Sequence, residues 1–318
     1  MSTPRISDQQ DSARGRWSRR GVLGALGAVP AAVALAGLGG GTARAAEGTA
    51  DPAAKTLVAS VTPGDGGTYG VGMPVSVTFS HAVTRKAAVE RAITVTADPE
   101  VEVTGHWFGD TRLDFRPKKY WAPGTTVAVS LDLAGVRAGE GLYGARSHSL
   151  AFRIGRSQIS TVDLAAGRMT VVRDGRKSAA YPVTGGDADH TTWSGIMVIS
   201  ERLKETRMES STVGLGHEYD IPDVPHAQRL TTSGTFLHGN YWTAASVFGH
   251  DNTTHGCVGL RDAQGGEDQT TAGYAFYDGS LLGDVVIVKN SGERTVDPAN
   301  GLNGWNLSWK KWQAGSAL

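Results

Sequence analysis

The chain has 318 residues, with 31 basic and 31 acidic side chains, a formal net charge of zero and 43 glycines. Residues 1–45 hold six of the arginines and two of the acids, so the remainder carries 25 basic and 29 acidic residues, net −4. With no Lys/Arg block, this balance excludes an electrostatic case for nucleic acid or acidic lipid. Abundant glycine without long helical periodicity argues for a mainly β fold.

In chain order, "RGRWSRRGVLGALGAVPAAVALAGLGGGTARAAEG" comes first. A basic flank, an Ala/Gly-rich weakly apolar run and the small-x-small end Ala43-Arg44-Ala45 are the layout of an export signal. Paired Arg19-Arg20 predicts the twin-arginine route. The run could span a bilayer by length, but Pro30 and its many small residues make it a poor membrane helix. Leu38 stands where a lipoprotein signal would carry cysteine. The expectation is an exported protein, signal 1–45 and linker 46–55, with no stable membrane insertion once the signal is removed.

Residues 56–155 alternate apolar and polar positions in short runs: "VSVTFS" (75–80), "ITVT" (93–96), "VEVTGHWF" (101–108), "RLDFRP" (112–117), "TVAVSLDL" (126–133) and "SLAFRI" (149–154). Their near ten-residue spacing, punctuated by "PGDGG", "ADP" and "APG", predicts a β-sandwich. No cysteine pair staples it, so Trp107, Phe115, Trp121 and Phe152 must hold it by burial. It shows no convergent polar cluster that would mark a carbohydrate site, and reads as an accessory module.

A second β-rich body spans 156–290. "RMTVVRDGRKSAAYPV" predicts a hairpin turning at Asp174-Gly175, and "GIMVIS", "GTFLHG" and "GDVVIVKN" predict further strands. "TAGYAFYDGSLL" (271–282) predicts a helix with Ala272, Ala275, Phe276 and Leu282 on one face. In the extension 291–318, Trp305, Trp309 and Trp312 stand at i, i+4, i+7, the stripe of a docked helix.

The only cysteine, Cys257, lies in "THGCVG" (254–259). A lone thiol in an exported chain points to intermolecular pairing or to a reactive group. His255 is two residues away, and His238 closes "GTFLH" upstream. In a hairpin-like layout a strand-end His238 could meet Cys257 and take its proton, leaving a fraction of thiolate near neutral pH. The flanking glycines let backbone N–H groups face a tetrahedral intermediate. Two other readings stand beside this one. His238, His250, His255 and Cys257 could ligate zinc, although their spacing fits no common zinc pattern. Cys257 could also be an inert buried thiol. His217, His226 and His250 read as ordinary loop histidines.

"HGNYWTAASVFGHDNTTHGCVGL" resembles the signature of L,D-transpeptidases of the YkuD type, with His238, Thr254, His255, Gly256 and Cys257 in place. The resemblance extends to "TVVRDGRKSAAYPVTGG", "SGTFLHGNYW" and the Trp-rich "NGLNGWNLSWKKWQAG", and so covers about residues 56–315. It implies an immunoglobulin-like domain before a β-rich YkuD-type catalytic domain, then a short helical Trp-rich tail. It also implies attack on the L-centre of meso-diaminopimelate in a peptidoglycan stem tetrapeptide, departure of D-alanine and a 3→3 cross-link to a second stem. An L,D-carboxypeptidase or an inactive wall-binding module are the alternatives.

By the same resemblance Cys257 is the nucleophile, His238 the base, Gly239 the carbonyl that orients it, and His255 and Gly256 its neighbours. Tyr219 (offset by one residue), Ser233, Gly234, Trp242 and Gly259 are the implied substrate contacts. Stem peptides and carbapenem-type inhibitors are the implied partners, and no cofactor or metal is implied. Three departures are visible: Gly259 replaces a larger polar residue, Val213 replaces an aromatic one, and a single sandwich precedes the catalytic domain.

Overall fold

The computed structural model describes residues 55–318. The export signal expected at 1–45, and all but Lys55 of the linker, lie outside the described residues. Among the described residues no helix is long and apolar enough to cross a membrane. The first part is a sandwich of two four-stranded sheets, ordered 59–62, 75–79, 112–117, 103–108 and 68–69, 148–154, 126–131, 93–98. The alternating runs face one core, where Trp107, Phe115, Trp121 and Phe152 are all at most 8% exposed. The polar ends of the tryptophans are satisfied inside: Trp107 Nε1 donates to buried Glu90 (2.9 Å) and Trp121 Nε1 to the Met73 carbonyl (2.7 Å).

The second part is built on a nine-stranded sheet, ordered 195–198, 285–289, 158–163, 168–173, 176–184, 258–261, 236–240, 220–229, 201–209. Asp174 (φ 46°) and Gly175 (φ 76°) make the expected two-residue hairpin turn. The expected helix forms over Ala272–Asp278, where Thr271 accepts from the Tyr274 N–H and Phe276 is buried. At the centre, Phe236–Asn240 pairs with Val258–Arg261 in parallel, with His238 opposite Gly259. The hairpin-like layout expected around His238 is therefore replaced by a parallel pair, whose strands need a long crossover, here residues 241–257. His238 is mid-strand, not at a strand end.

The tryptophan stripe is not one helix. Trp305 sits in a tight turn (Gly304–Asn306), and Ser308 caps a separate short helix, Trp309–Gln313. What joins the three rings is Arg116 of the sandwich, whose guanidinium lies 4.5, 5.5 and 4.2 Å from the ring centres of Trp305, Trp309 and Trp312. Burial lowers the Arg116 pKa to about 10, which still leaves it charged at neutral pH. On the other side of the tail, the Asn306 amide accepts from Ile196 N–H (2.9 Å) and donates to Ile196 C=O (2.7 Å). Asn303 accepts from Val198 N–H (3.0 Å). The tail thus covers the edge strand 195–198 of the nine-stranded sheet and ties it to the sandwich.

Trp312 is fully buried, and its Nε1 donates to Thr104 C=O (2.8 Å). Trp312→Ala should lower unfolding free energy by about 3–5 kcal/mol in denaturant titration. A change below about 0.5 kcal/mol would show that the tail is not structural.

Candidate active site

In the parallel pair, alternate residues share a face, so Cys257, Gly259 and His238 point to the same side. Cys257 and His238 line one cavity of about 250 Å³, together with Met208, Tyr219, Trp242 and His255. His238 is 3% exposed, and its Nδ1 lies 2.8 Å from Gly239 C=O. A carbonyl only accepts, so Nδ1 carries the proton and Nε2 is left with a free lone pair. Position 239 tolerates no side chain: a Cβ there would lie 2.1 Å from Asp262 Oδ2. The His238 ring stacks on half-exposed Trp242, with centres 5.7 Å apart.

Asp262 was not singled out in the sequence, and it anchors this corner. It is buried, meets His226 Nδ1 at 2.7 Å and accepts from Thr271 Oγ1 at 2.8 Å. His226, expected in a loop, is instead buried in the strand Asp220–Arg229 against Tyr274 and Tyr277. Burial pulls the His238 pKa below its usual value, while the Gly239 carbonyl and the Asp262 charge oppose it. Desolvation wins, and the imidazole is neutral.

Cys257 Sγ accepts from Phe236 N–H (3.4 Å) and faces Gly234 C=O (3.8 Å). Among the described residues these are its hydrogen bonds, and neither goes to His238. Burial pushes the thiol pKa up to about 11, with the Phe236 N–H opposing. The expected thiolate fraction near neutral pH is therefore corrected: two histidines nearby do not outweigh loss of water around sulfur. The resting pair is thiol and neutral imidazole.

The turn that carries Cys257 is pinned from two sides. Thr254 Oγ1 donates to Cys257 C=O at 2.7 Å, and Thr192, within the loop 185–192, contacts the same carbonyl at 3.4 Å. Asp187 N–H and Thr254 C=O close another bond to that loop (2.9 Å). Gly256 adopts φ 103°, a conformation that disfavours any side chain.

A second cleft meets the first at Tyr219 and His255, and is lined by Val213, Ser233, Gly234 and Glu293 among others. Tyr219 is pushed up to about 12, by burial and then by the Cys257 and Glu218 charges, so it remains a hydroxyl donor. Ser233 is held by a residue that no motif marks. Asn300 of the tail donates to Ser233 Oγ (2.8 Å) and accepts from Ser233 N–H (3.0 Å). Val213 lies over Gly234, where a Cβ would come within 2.3 Å of it. Gly259 lines neither cavity: it is buried, and a Cβ there would meet Thr184 at 2.8 Å and Asn240 at 3.2 Å. Its expected role as a substrate contact is not supported; close packing explains the glycine. His250 is exposed and lines neither cavity, so the four-residue zinc set is not assembled.

The profile described as "L,D-transpeptidase catalytic domain" matches residues 157–267, and that described as "Bacterial Ig domain" matches residues 5–137. L,D-transpeptidase 2 of Mycobacterium tuberculosis is 33% identical over 307 residues, 95% of this chain and 72% of that protein. The chain belongs to the L,D-transpeptidase family. L,D-transpeptidase 5 of Mycobacterium tuberculosis is 34% identical over 271 residues, but the match spans only 57% of that protein. Among solved structures, an L,D-transpeptidase in complex with imipenem superposes with a TM-score of 0.60 at 26% identity, over 73% of this chain and 98% of the other. L,D-transpeptidase 3 of Mycobacterium tuberculosis, with a faropenem-derived adduct, superposes at 0.57 and 25% identity, over 75% and 99%. The family membership, the immunoglobulin-like sandwich and the mainly β fold are thus as the sequence implied.

The electrostatics of this transpeptidase site set its response to pH. Alkylation of Cys257 by iodoacetamide should accelerate with pH up to a midpoint near 11. A rate that reaches its plateau by about pH 7, the behaviour of an activated thiolate, would contradict the neutral pair.

Proposed function

We propose that this L,D-transpeptidase cross-links peptidoglycan through an acyl-enzyme on Cys257. One observation carries the reading: His238, within one strand, and Cys257, one residue before its parallel neighbour, share a cavity, with His238 Nε2 free to accept a proton. The donor is a stem tetrapeptide. Sγ attacks the carbonyl at the L-centre of meso-diaminopimelate, and the S–H proton passes to His238 Nε2. The tetrahedral oxyanion is met by backbone amides. Among the described residues, the N–H groups of His255, Gly256 and Cys257 find no protein acceptor, which leaves them available for that role. Tyr219 supplies a further hydroxyl donor in the same cavity.

Collapse of the intermediate breaks the C–N bond. The proton on Nε2 goes to the departing D-alanine amine, which restores the neutral imidazole. The side-chain amine of a second stem then attacks the thioester, loses a proton to Nε2, and forms the 3→3 cross-link. Sulfur leaves and recovers its proton from His238.

The magnitudes say when the first proton moves. A thiol raised to about 11 facing an imidazole lowered by burial makes the separated ion pair uphill before their mutual attraction. Proton transfer therefore accompanies attack, and the developing charge on sulfur is handed directly to the substrate carbonyl.

A carbapenem offers the same thiol a strained amide with no amine acceptor to follow. Intact-protein mass should rise by one carbapenem per chain in wild type and not in Cys257→Ala. Incubated with disaccharide-tetrapeptide, the wild type should give the cross-linked dimer and free D-alanine, and Cys257→Ala neither. D-alanine and a tripeptide without dimer would instead identify a carboxypeptidase.

Such a substrate lies outside the cytoplasmic membrane, so the reading requires export, and we assign it to the twin-arginine pair. Replacing Arg19-Arg20 by Lys-Lys should retain the protein in the cytoplasm, scored by fractionation. Unchanged export would remove the twin-arginine assignment and leave the chemistry standing.

A further inference from the structure

Where the two cavities meet, a second polar cluster stands apart from the thiol and its base. Glu218 Oε2 lies 3.2 Å from His190 Nε2 and 3.3 Å from His255 Nε2. The three ligand atoms all lie within 4.8 Å of one another, and the two imidazole rings are 4.8 Å apart, centre to centre. A tetrahedral zinc ion with bonds of about 2.0–2.1 Å has ligand–ligand edges of about 3.3 Å. Both distances to the carboxylate fit that edge, and the third, between the two imidazole nitrogens, is at most 4.8 Å.

The far side of His190 gives an independent reason to expect a cation. Its Nδ1 lies 3.1 Å from Asp187 Oδ1, and that carboxylate is itself fixed by the N–H groups of Asp189 (3.0 Å) and His190 (2.8 Å). In the neutral ring whose Nδ1–H donates to Asp187, the Nε2 lone pair faces the Glu218 oxygen. Two acceptors 3.2 Å apart need a proton or a metal between them. A carboxylate behind a histidine that presents its other nitrogen is the arrangement that supports metal-bound imidazole.

The site is also built into rigid backbone. The loop bearing His190 is bonded to Thr254, next to His255, through Asp187 N–H (2.9 Å) and Thr254 N–H (2.8 Å to Gly185 C=O). Two imidazoles and one carboxylate select the zinc class of divalent ions over magnesium or calcium, which take oxygen ligands.

We propose that His190, Glu218 and His255 bind one divalent transition-metal ion of the zinc class, independently of Cys257. The ion ties Glu218, at the end of the 210–219 segment, to the turn that carries the nucleophile. It sits where the two cavities join, at the shared lining residue His255. It takes no part in acyl transfer. This site differs from the His238, His250, His255 and Cys257 set considered from the sequence, sharing only His255.

The test is calorimetric titration of zinc chloride into the chain carrying Cys257→Ala, which removes the thiol as a ligand. The expected result is saturation at one ion per chain, with a rise in the thermal transition. Adding Glu218→Gln, which keeps the shape, should weaken binding at least about tenfold, as should His190→Ala. Asp187→Asn, a change behind the ligand, should weaken it by roughly tenfold. The proposal is overturned if the Cys257→Ala chain shows no saturable binding. It is equally overturned if the Glu218→Gln chain, folded by its circular dichroism, binds zinc like its parent.

Discussion

Everything at the catalytic centre depends on the parallel pairing of Phe236–Asn240 with Val258–Arg261. That register sets His238 opposite Gly259 and brings Cys257, one residue before the second strand, onto the same face. A slip of one residue would turn one of the two side chains to the other side of the sheet. The pairing is defended by close packing on both strands. Gly239 leaves room for Asp262, and Gly259 leaves room for Thr184 and Asn240, so a side chain at either would force the strands apart. Beyond the strand, Thr254 and Thr192 hold the carbonyl of Cys257, so the turn is as fixed as the sheet.

The same burial that fixes the pair also silences it. Water excluded from sulfur raises the thiol, and water excluded from the ring lowers the imidazole, so both groups stay neutral at rest. A lone thiol gains from this, because a neutral, half-buried thiol resists oxidation and stray alkylation better than a thiolate does. The groups that would favour charge are present but secondary: Phe236 N–H toward sulfur, and the Asp262 carboxylate behind the imidazole. In the proposed reaction they acquire weight when negative charge moves from sulfur to the substrate oxygen and His238 becomes cationic. The site is therefore arranged for a charge that appears during reaction, not one stored beforehand.

What the sequence revealed follows from where information sits along it. Cys257, His238 and their glycines lie in one contiguous stretch of backbone chemistry, and the hairpin at Asp174-Gly175 follows from two residues with positive φ. The sandwich strands were legible because each alternates over a single buried face. The long hairpin Glu201–Glu209 with Asp220–Arg229 was not, because "ERLKETRME" is polar and mostly half-buried or exposed, with no apolar alternation. Asp262, Asn300 and Glu218 escaped for another reason: each meets partners far away in sequence, His226, Ser233, and His190 with His255. Spacing says nothing of what fills the space beside Gly259, where Thr184 and Asn240 pack. The thiolate expectation failed likewise, since a histidine two residues away is visible in sequence and the loss of solvent is not. The tryptophan stripe matched helical spacing by coincidence, its rings being gathered by Arg116 rather than by one helix.

The neutral pair is the central physical claim, and the nitrogen resonances of His238 read it directly. With 15N-labelled imidazole, the resting enzyme should show at pH 7 a protonated Nδ1 and an unprotonated Nε2. That pattern should persist as pH falls through 6.5, because the folded-state pKa lies below that value. Two protonated ring nitrogens at pH 7, lost on Cys257→Ala, would reveal a standing imidazolium–thiolate pair and contradict the account.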